Sequence, residues 1–517
     1  MRTSEFCRCA FFLERCLIAA DSVNRVAKKN FLKSENTKEG DFICPFSEAQ
    51  KGRWEYSAFG MNDESVKALE SMGMGRLILK FSAPAIIATV VSATYNVVDR
   101  IFVGRVCGED ALAAITVCFP PALFLLAIAM TVGQGSATLL SIKLGERDRE
   151  GAEKVLGQAV FLFFAFYACA ATIALLFMDE LLTFFGATER ILPLAASYYS
   201  IIIGGLIFEK ISFGINNLIR AEGRPTYSMS TIVIGGCANV FLDWLFMCCF
   251  GWGIRGAAFA TIAAQACGSL WVLYFYLGGK SYVKLRLKNL RAHWNLALSM
   301  LYAGSPSLII QGLSSAATMM FVRQARVYGS ESAIAVIGIA MTVTTFIFLP
   351  VVGLSMGVQP IIGFNRGAGN YVRVKSAFAN ALRIGTSICA AGFLAAQIFP
   401  DAIFSIFLPS DSPLIATGEG ALRLLTLCFP FVAANVVASG YFQSVKKPAM
   451  SIMITVVRQV LFLVPCLYLL PRFMGLDGIW ASFAASDFMA FLFSAAIVWR
   501  EMRVLNSRIG GKCANVG

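Results

Sequence analysis

The chain has 517 residues, of which 57% are hydrophobic and only 15% charged, and its mean hydropathy is +0.69. A soluble globular fold could not cover so apolar a chain with polar surface, so the proportions exclude one and place the protein in a membrane. The net charge of +13 would suit a nucleic-acid binder if it gathered on one folded face, but the basic residues sit in short connections between apolar runs.

Residues 1–74 read as a polar, irregular extension, expected to be poorly ordered and to add little to the core. Its stretch CAFFLERCLIAA, Cys9 to Ala20, is short and broken by Glu14 and Arg15, which makes a poor signal peptide. Cys7, Cys9, Cys16 and Cys44 lack a complete zinc spacing and a nearby histidine. A bilayer core of roughly 30 Å then needs about 20 apolar residues per helix, and about twelve stretches qualify. They are 77–103, 112–142, 155–177, 192–219, 227–250, 253–277, 295–325, 333–363, 375–399, 414–443, 449–470 and 475–499. Continuous apolarity rather than period-two alternation predicts helices and not an outer-membrane barrel. Ten cysteines lie in or beside these spans, where a free thiol behaves as a small hydrophobe.

Alternate connections carry the bases, among them Lys143, Arg147, Arg220, Lys284, Arg373, Lys447 and Arg503. About twenty Lys and Arg on one side against about six on the other predict a multi-pass protein of the cell (inner) membrane with both termini cytoplasmic. A shift of about 222 residues lays the second half on the first, pairing Pro84 with Pro306, GEDALAAI (Gly108 to Ile115) with SESAIAVI (Ser330 to Ile337), and Gly145 with Gly367. Six spans per repeat give both copies the same orientation. The expected fold is therefore an all-α polytopic membrane protein, two parallel-repeat six-helix bundles around a central cavity. Its parts are an extension (1–74), a first bundle (75–279), a cytoplasmic linker (280–294), a second bundle (295–505) and a tail (506–517).

Several motifs now stand in order: NVVD (Asn96 to Asp99), NNLIRAEGRP (Asn216 to Pro225), NVFLD (Asn239 to Asp243), GAAFATIAAQ (Gly256 to Gln265) and GVQPIIGFNRGAGN (Gly357 to Asn370). Together, over about Gly75 to Leu505, they resemble the multidrug and toxic compound extrusion (MATE) transporters. The resemblance implies an efflux antiporter that exchanges H⁺ or Na⁺ for organic, often cationic, compounds, with no further cofactor. It also weakens a sodium site in the second bundle, because the acids implicated in some sodium-coupled members find no counterpart in the seventh span and only Glu419 near the start of the tenth.

The polar residues themselves point to the first bundle. Asp99 is expected about four residues from the outer end of the first span and Asp243 about seven from that of the fifth, a height difference of roughly 5 Å. Asn96 and Asn239 each stand one turn before an aspartate, on the same helix face. Apolar surroundings and a neighbouring carboxylate both disfavour the charged form, which suits a proton carrier near neutral pH, and a Na⁺ ion could bind the same pair. The competing reading has Asp99 paired with Arg100. Asp487, halfway down the last span and opposite Gln265 by the repeat shift, is expected to face the cavity and attract cations or to bond a neighbouring helix. Tyr95, Phe119, Gln311, Met341 and Tyr441 are further cavity candidates, and Glu209 and Lys210 are expected to pair with another helix.

Enzymatic readings find little material. GGKS, Gly278 to Ser281, has Tyr274 where a phosphate loop needs its first Gly, and the one histidine, His293, lies in a basic connection. A flippase for a lipid-linked saccharide would share the architecture but needs cavity bases for a pyrophosphate, and at mid-span only Arg383 and Arg458 stand out. The expected partners are small organic cations, H⁺ or Na⁺ and membrane lipid, without nucleic acid, and the expected unit is a monomer.

Overall fold

The computed structural model describes residues 64–328, 331–405 and 414–514, so most of the predicted extension, 1–63, lies outside the described residues. Among the described residues, eleven helices are long and apolar enough to cross a membrane: Met74–Cys107, Ala113–Gly145 within the helix Glu109–Gly145, Arg149–Leu176, Leu192–Ala221, Pro225–Cys249, Gly253–Leu277, Trp294–Phe321, Gly338–Gly367, Tyr371–Ile398, Pro448–Met474 and Leu476–Ile509. The tenth span makes twelve. It is broken into Leu414–Thr426 and Phe429–Ser444, bent by 45°. Pro430, in the first turn of the second piece, has no N–H to carry the helix through.

The repeat is visible in local geometry. Arg147 (φ 61°) and Gly369 (φ 68°) occupy the same left-handed turn one repeat apart. Directly after them, Asp148 accepts a hydrogen bond from the Gly151 N–H and Asn370 from the Arg373 N–H, each capping the helix that follows.

All the basic connections share one face of the bundle. Arg147 reaches Glu70 (3.2 Å), Arg373 donates to the Leu69 and Met72 carbonyls, Lys375 to Asn506, Lys447 to Glu501, and Arg286 pairs with the buried Glu153 at 2.7 Å. The opposite face carries Arg190 on Asp110, 2.6 Å apart.

In the half next to the basic face the two bundles share one core, running from Leu77, Leu140 and Leu156 to Leu354, Ile361 and Phe378. In the other half the cores are separate: one around Val103, Cys118 and Tyr199 in the first bundle, another around Phe321, Leu422 and Trp480 in the second. The molecule is thus closed at the basic face and parted towards the opposite one. Glycines make the closure. Gly145 lies against the Phe364 carbonyl and Gly367 against that of Ile142, an exchange related by the repeat; Gly135 and Gly304 likewise meet the Met300 and Thr131 carbonyls. Backbones this close leave no room for a Cβ, which is how small residues let membrane helices associate without a hydrophobic drive.

Two sequence expectations change. The helix Glu64–Ser71 falls within the supposed irregular extension, and its Leu69 is fully buried in the shared core because Arg373 ties its last carbonyls to the second bundle. The last helix runs on to Ala514, through the supposed tail, held by Asn506 on Lys375 and by Arg508 over Tyr371.

Gly304→Val should force the second and seventh spans apart. The expected loss is about 1–3 kcal/mol, as for other overpacked sites, seen as a lower Tm in detergent. An unchanged Tm would show that the closure does not need this crossing.

Candidate functional site

The first bundle brings two carboxyl groups together. Asp99 stands eight residues before the end of the first span and Asp243 six before the end of the fifth, closer in height than expected because the first helix continues to Cys107. Their carboxyl groups lie within hydrogen-bonding reach of each other. Asp243 is fully buried and Asn239 nearly so. Among the described residues, neither oxygen of Asp243, nor Oδ1 of Asp99, nor Oδ1 of Asn239 has a donor. Four oxygens of two adjacent helices are therefore left without partners in an apolar bundle, where buried polar groups are otherwise almost always bonded. Such a group costs free energy unless a proton or a cation joins it.

The neighbours are mostly accounted for. The Arg100 guanidinium lies over the Phe119 ring at 4.8 Å and, among the described residues, forms no ion pair with Asp99. Tyr198 of the fourth span sits close enough to interact electrostatically with both aspartates, a neighbour that no sequence pattern singles out. Tyr95 packs where a Cβ on Gly236 would meet it at 3.2 Å, joining the first and fifth spans. Asn96 turns away: it is exposed, and its amide donates to the Ser92 carbonyl one turn back at 2.6 Å.

A cavity occupies the second bundle and reaches the bundle interface. One lobe of about 350 Å³ is lined by Gln134, Gln311, Gln359 and Asn435, and another of about 280 Å³ by Met341, Phe429, Phe483 and Asp487. Ser314, Phe348, Arg458 and Gln459 line both. Asp487 does face this cavity, and it also bonds a neighbouring helix, with Arg458 Nε 2.6 Å from its Oδ1. Gln265 is half-buried in the sixth span and lines neither lobe. Tyr441 is not a cavity residue: it is buried in the shared core, edge-on to Phe378 at 5.0 Å, because the tenth span turns that face towards the ninth.

The fourth span corrects another expectation. Glu209 and Lys210 pair with each other at 2.8 Å, and Lys210 also donates to the Leu125 carbonyl. The helix widens into a π-helical turn at Lys210–Ile215, and the two long stems converge there. The supposed phosphate-loop remnant is likewise occupied, with Ser281 Oγ 2.7 Å from Glu222 Oε2 and Lys280 over the Tyr274 ring.

Asp243→Asn gives the Asp99 carboxylate a donor and removes one unpaired charge. The variant should fold and melt above the wild type in Na⁺-free detergent at alkaline pH, by about 1–3 kcal/mol, the cost of an unsatisfied buried group. A lower Tm would mean that the charge is already satisfied.

A model of the MatE family matches residues 84–245 and 306–469, one match in each repeat. Multidrug export protein MepA of Staphylococcus aureus (strain MRSA252) is 22% identical over 449 residues, 85% of this chain and 96% of its own length. Probable multidrug resistance protein YoeA of Bacillus subtilis (strain 168) is 26% identical over 65% of this chain and 73% of its own. Among solved structures, an outward-facing conformation of a multidrug resistance MATE family transporter of the MOP superfamily superposes with a TM-score of 0.80 at 25% identity, covering 86% of this chain and 99% of that one.

Proposed function

The chain belongs to the MATE family, and from that premise we propose that it is a secondary active multidrug efflux antiporter, exporting hydrophobic organic cations in exchange for H⁺ or Na⁺ by alternating access. The observation that carries the reading is the pair Asp99 and Asp243, buried side by side with oxygens that lack donors. Carboxylate and amide oxygens are hard donors, suited to a proton or a Na⁺ ion.

The basic face is assigned to the cytoplasm by the positive-inside rule, so the closed half faces inward and the parted half outward. In this state the pair takes up an ion from outside. Neutralised, it no longer repels, and the first and fifth spans pack differently, which favours the state open to the cytoplasm. A cation bound there prefers the opposite change. Each ligand shifts the equilibrium only by its differential affinity, about 5.5 kcal/mol for a fully committed switch.

The flippase reading is weaker. A pyrophosphate calls for several bases, and Arg458 is the one Lys or Arg that lines the two lobes, its charge offset by Asp487. Arg383 is exposed on the ninth span, away from both cavity lobes.

Asp99→Asn and Asp243→Asn should leave the protein in the membrane but lower gradient-driven dye export at least about tenfold, the effect of losing roughly 1.4 kcal/mol of coupling. Glu150→Gln, at an exposed position of the basic face, should export normally. The measurement is ethidium efflux from vesicles with matched protein levels under imposed H⁺ and Na⁺ gradients. Wild-type rates in both Asn variants would place the coupling elsewhere.

A further inference from the structure

The cavity of the second bundle holds one charge pair that the exchange does not use. Arg458 lies in a π-helical turn of the eleventh span, Val457–Leu463, and Asp487 on the twelfth. Arg458 Nε is 2.6 Å from Asp487 Oδ1; the carboxylate side chain is 6% exposed, the arginine 25%. Both line the cavity.

The pair changes what the cavity can recognise. Asp487 alone would attract any amphiphilic cation. With Arg458 at contact distance the site has no net charge, and a lone cation loses to the guanidinium roughly what it gains from the carboxylate. A guanidinium has five N–H donors in a planar fork. The Nε bond to Asp487 is the one hydrogen bond that Arg458 makes among the described residues, so its terminal nitrogens remain for a ligand in the cavity it lines. A carboxylate is the group that fits such a fork, two parallel bonds at a time. The walls supply the rest: Phe348, Phe429 and Phe483 offer apolar faces to a flat body, and Asp487 lies beside the fork to receive an ammonium.

We propose that Arg458 sets the charge preference of this cavity, binding the carboxylate of flat amphiphilic zwitterions that also carry a positive charge. The inference deepens the efflux reading and rests on it for the direction of movement, but not for binding.

A matched pair of dyes tests it. Rhodamine B carries a carboxylate and a delocalised positive charge; its ethyl ester has the same ring system and the positive charge only. Fluorescence anisotropy on the purified full chain gives the affinity for each, and the readout is their ratio, which cancels general loss of protein. Arg458→Gln should lower the zwitterion-to-ester ratio at least about tenfold, the scale of one charge-assisted hydrogen bond. Because Arg458→Gln strands Asp487, the double variant Arg458→Gln/Asp487→Asn serves as well, with no lone buried charge; its ratio should fall similarly. Arg458→Lys, which keeps the charge but not the fork, should fall between. An unchanged ratio in the two Gln variants, or parallel weakening of both dyes, overturns the proposal. Dye movement in proteoliposomes separates the two readings: a shifted binding ratio with neither dye driven by a gradient would sink the efflux reading and leave this one standing, whereas gradient-driven export of both dyes with an unshifted ratio would do the reverse.

Discussion

Backbone contact between the bundles is the constraint on which the rest depends. Lipid gives apolar helices no reason to prefer one another, so the bundles hold together only where surfaces fit closely, and glycine allows the closest fit. Gly135, Gly145, Gly304 and Gly367 supply it, all in the half next to the basic face. From that placement follow the single core on that side, the separate cores on the other, and a cavity that begins just above the crossings at Gln134 and Gln359. At these four crossings main chain meets main chain, and the side chains of the shared core pack around them.

The scaffold is symmetric while the chemistry is not. One repeat on, Asp99 is replaced by Phe321 and Asp243 by Pro465, while Asp487 answers to Gln265 and Arg458 to Gly236. Among the described residues, the first bundle therefore holds two acids with three oxygens that lack donors, and the second an ion pair. Both arrangements sit at or next to a widened helical turn, Trp244–Cys249 directly after Asp243 and Val457–Leu463 around Arg458. Such turns disturb the regular backbone hydrogen bonding and reorient the side chains around them, which is why they gather where an apolar helix carries polar work.

Much of the fold was legible in the sequence because a bilayer imposes length and apolarity on every span, and the repeat halves the problem. Asp99 and Asp243 stood out for the same reason: an acid in hydrocarbon is conspicuous. What stayed hidden depends on rotation about the helix axis. Asn96 shares a sequence pattern with Asn239, yet one is exposed and the other buried, and Tyr441 looked like a cavity aromatic but faces the core. Nor does composition announce a π-helical turn, so the pairing of Glu209 with Lys210 was out of reach. The helix Glu64–Ser71 was masked by the polar stretch before it, although Leu69 is the kind of apolar residue that a docked helix buries.

The two polar sites lie in different bundles, so any exchange between them must act through the helices that touch both. The first span does so. Near its outer end it carries Asp99; lower down, Ser82 and Ile86 lie against Gly357 and Gly353 of the eighth span, and Thr89 reaches the Leu349 carbonyl at 3.4 Å. Pro84 sits inside that contact, where it removes a backbone hydrogen bond and makes a bend inexpensive. The eighth span in turn presents Phe348 and Gln359 to the cavity. A change in packing around the aspartates therefore has a continuous mechanical route to the cavity wall, with the hinge at the point where the bundles meet. Continuity alone is not coupling. Under the proposed exchange the two ends of the route answer to different ligands, an ion at the aspartate oxygens and an amphiphile in the cavity, so either can bias one movement of the same helix.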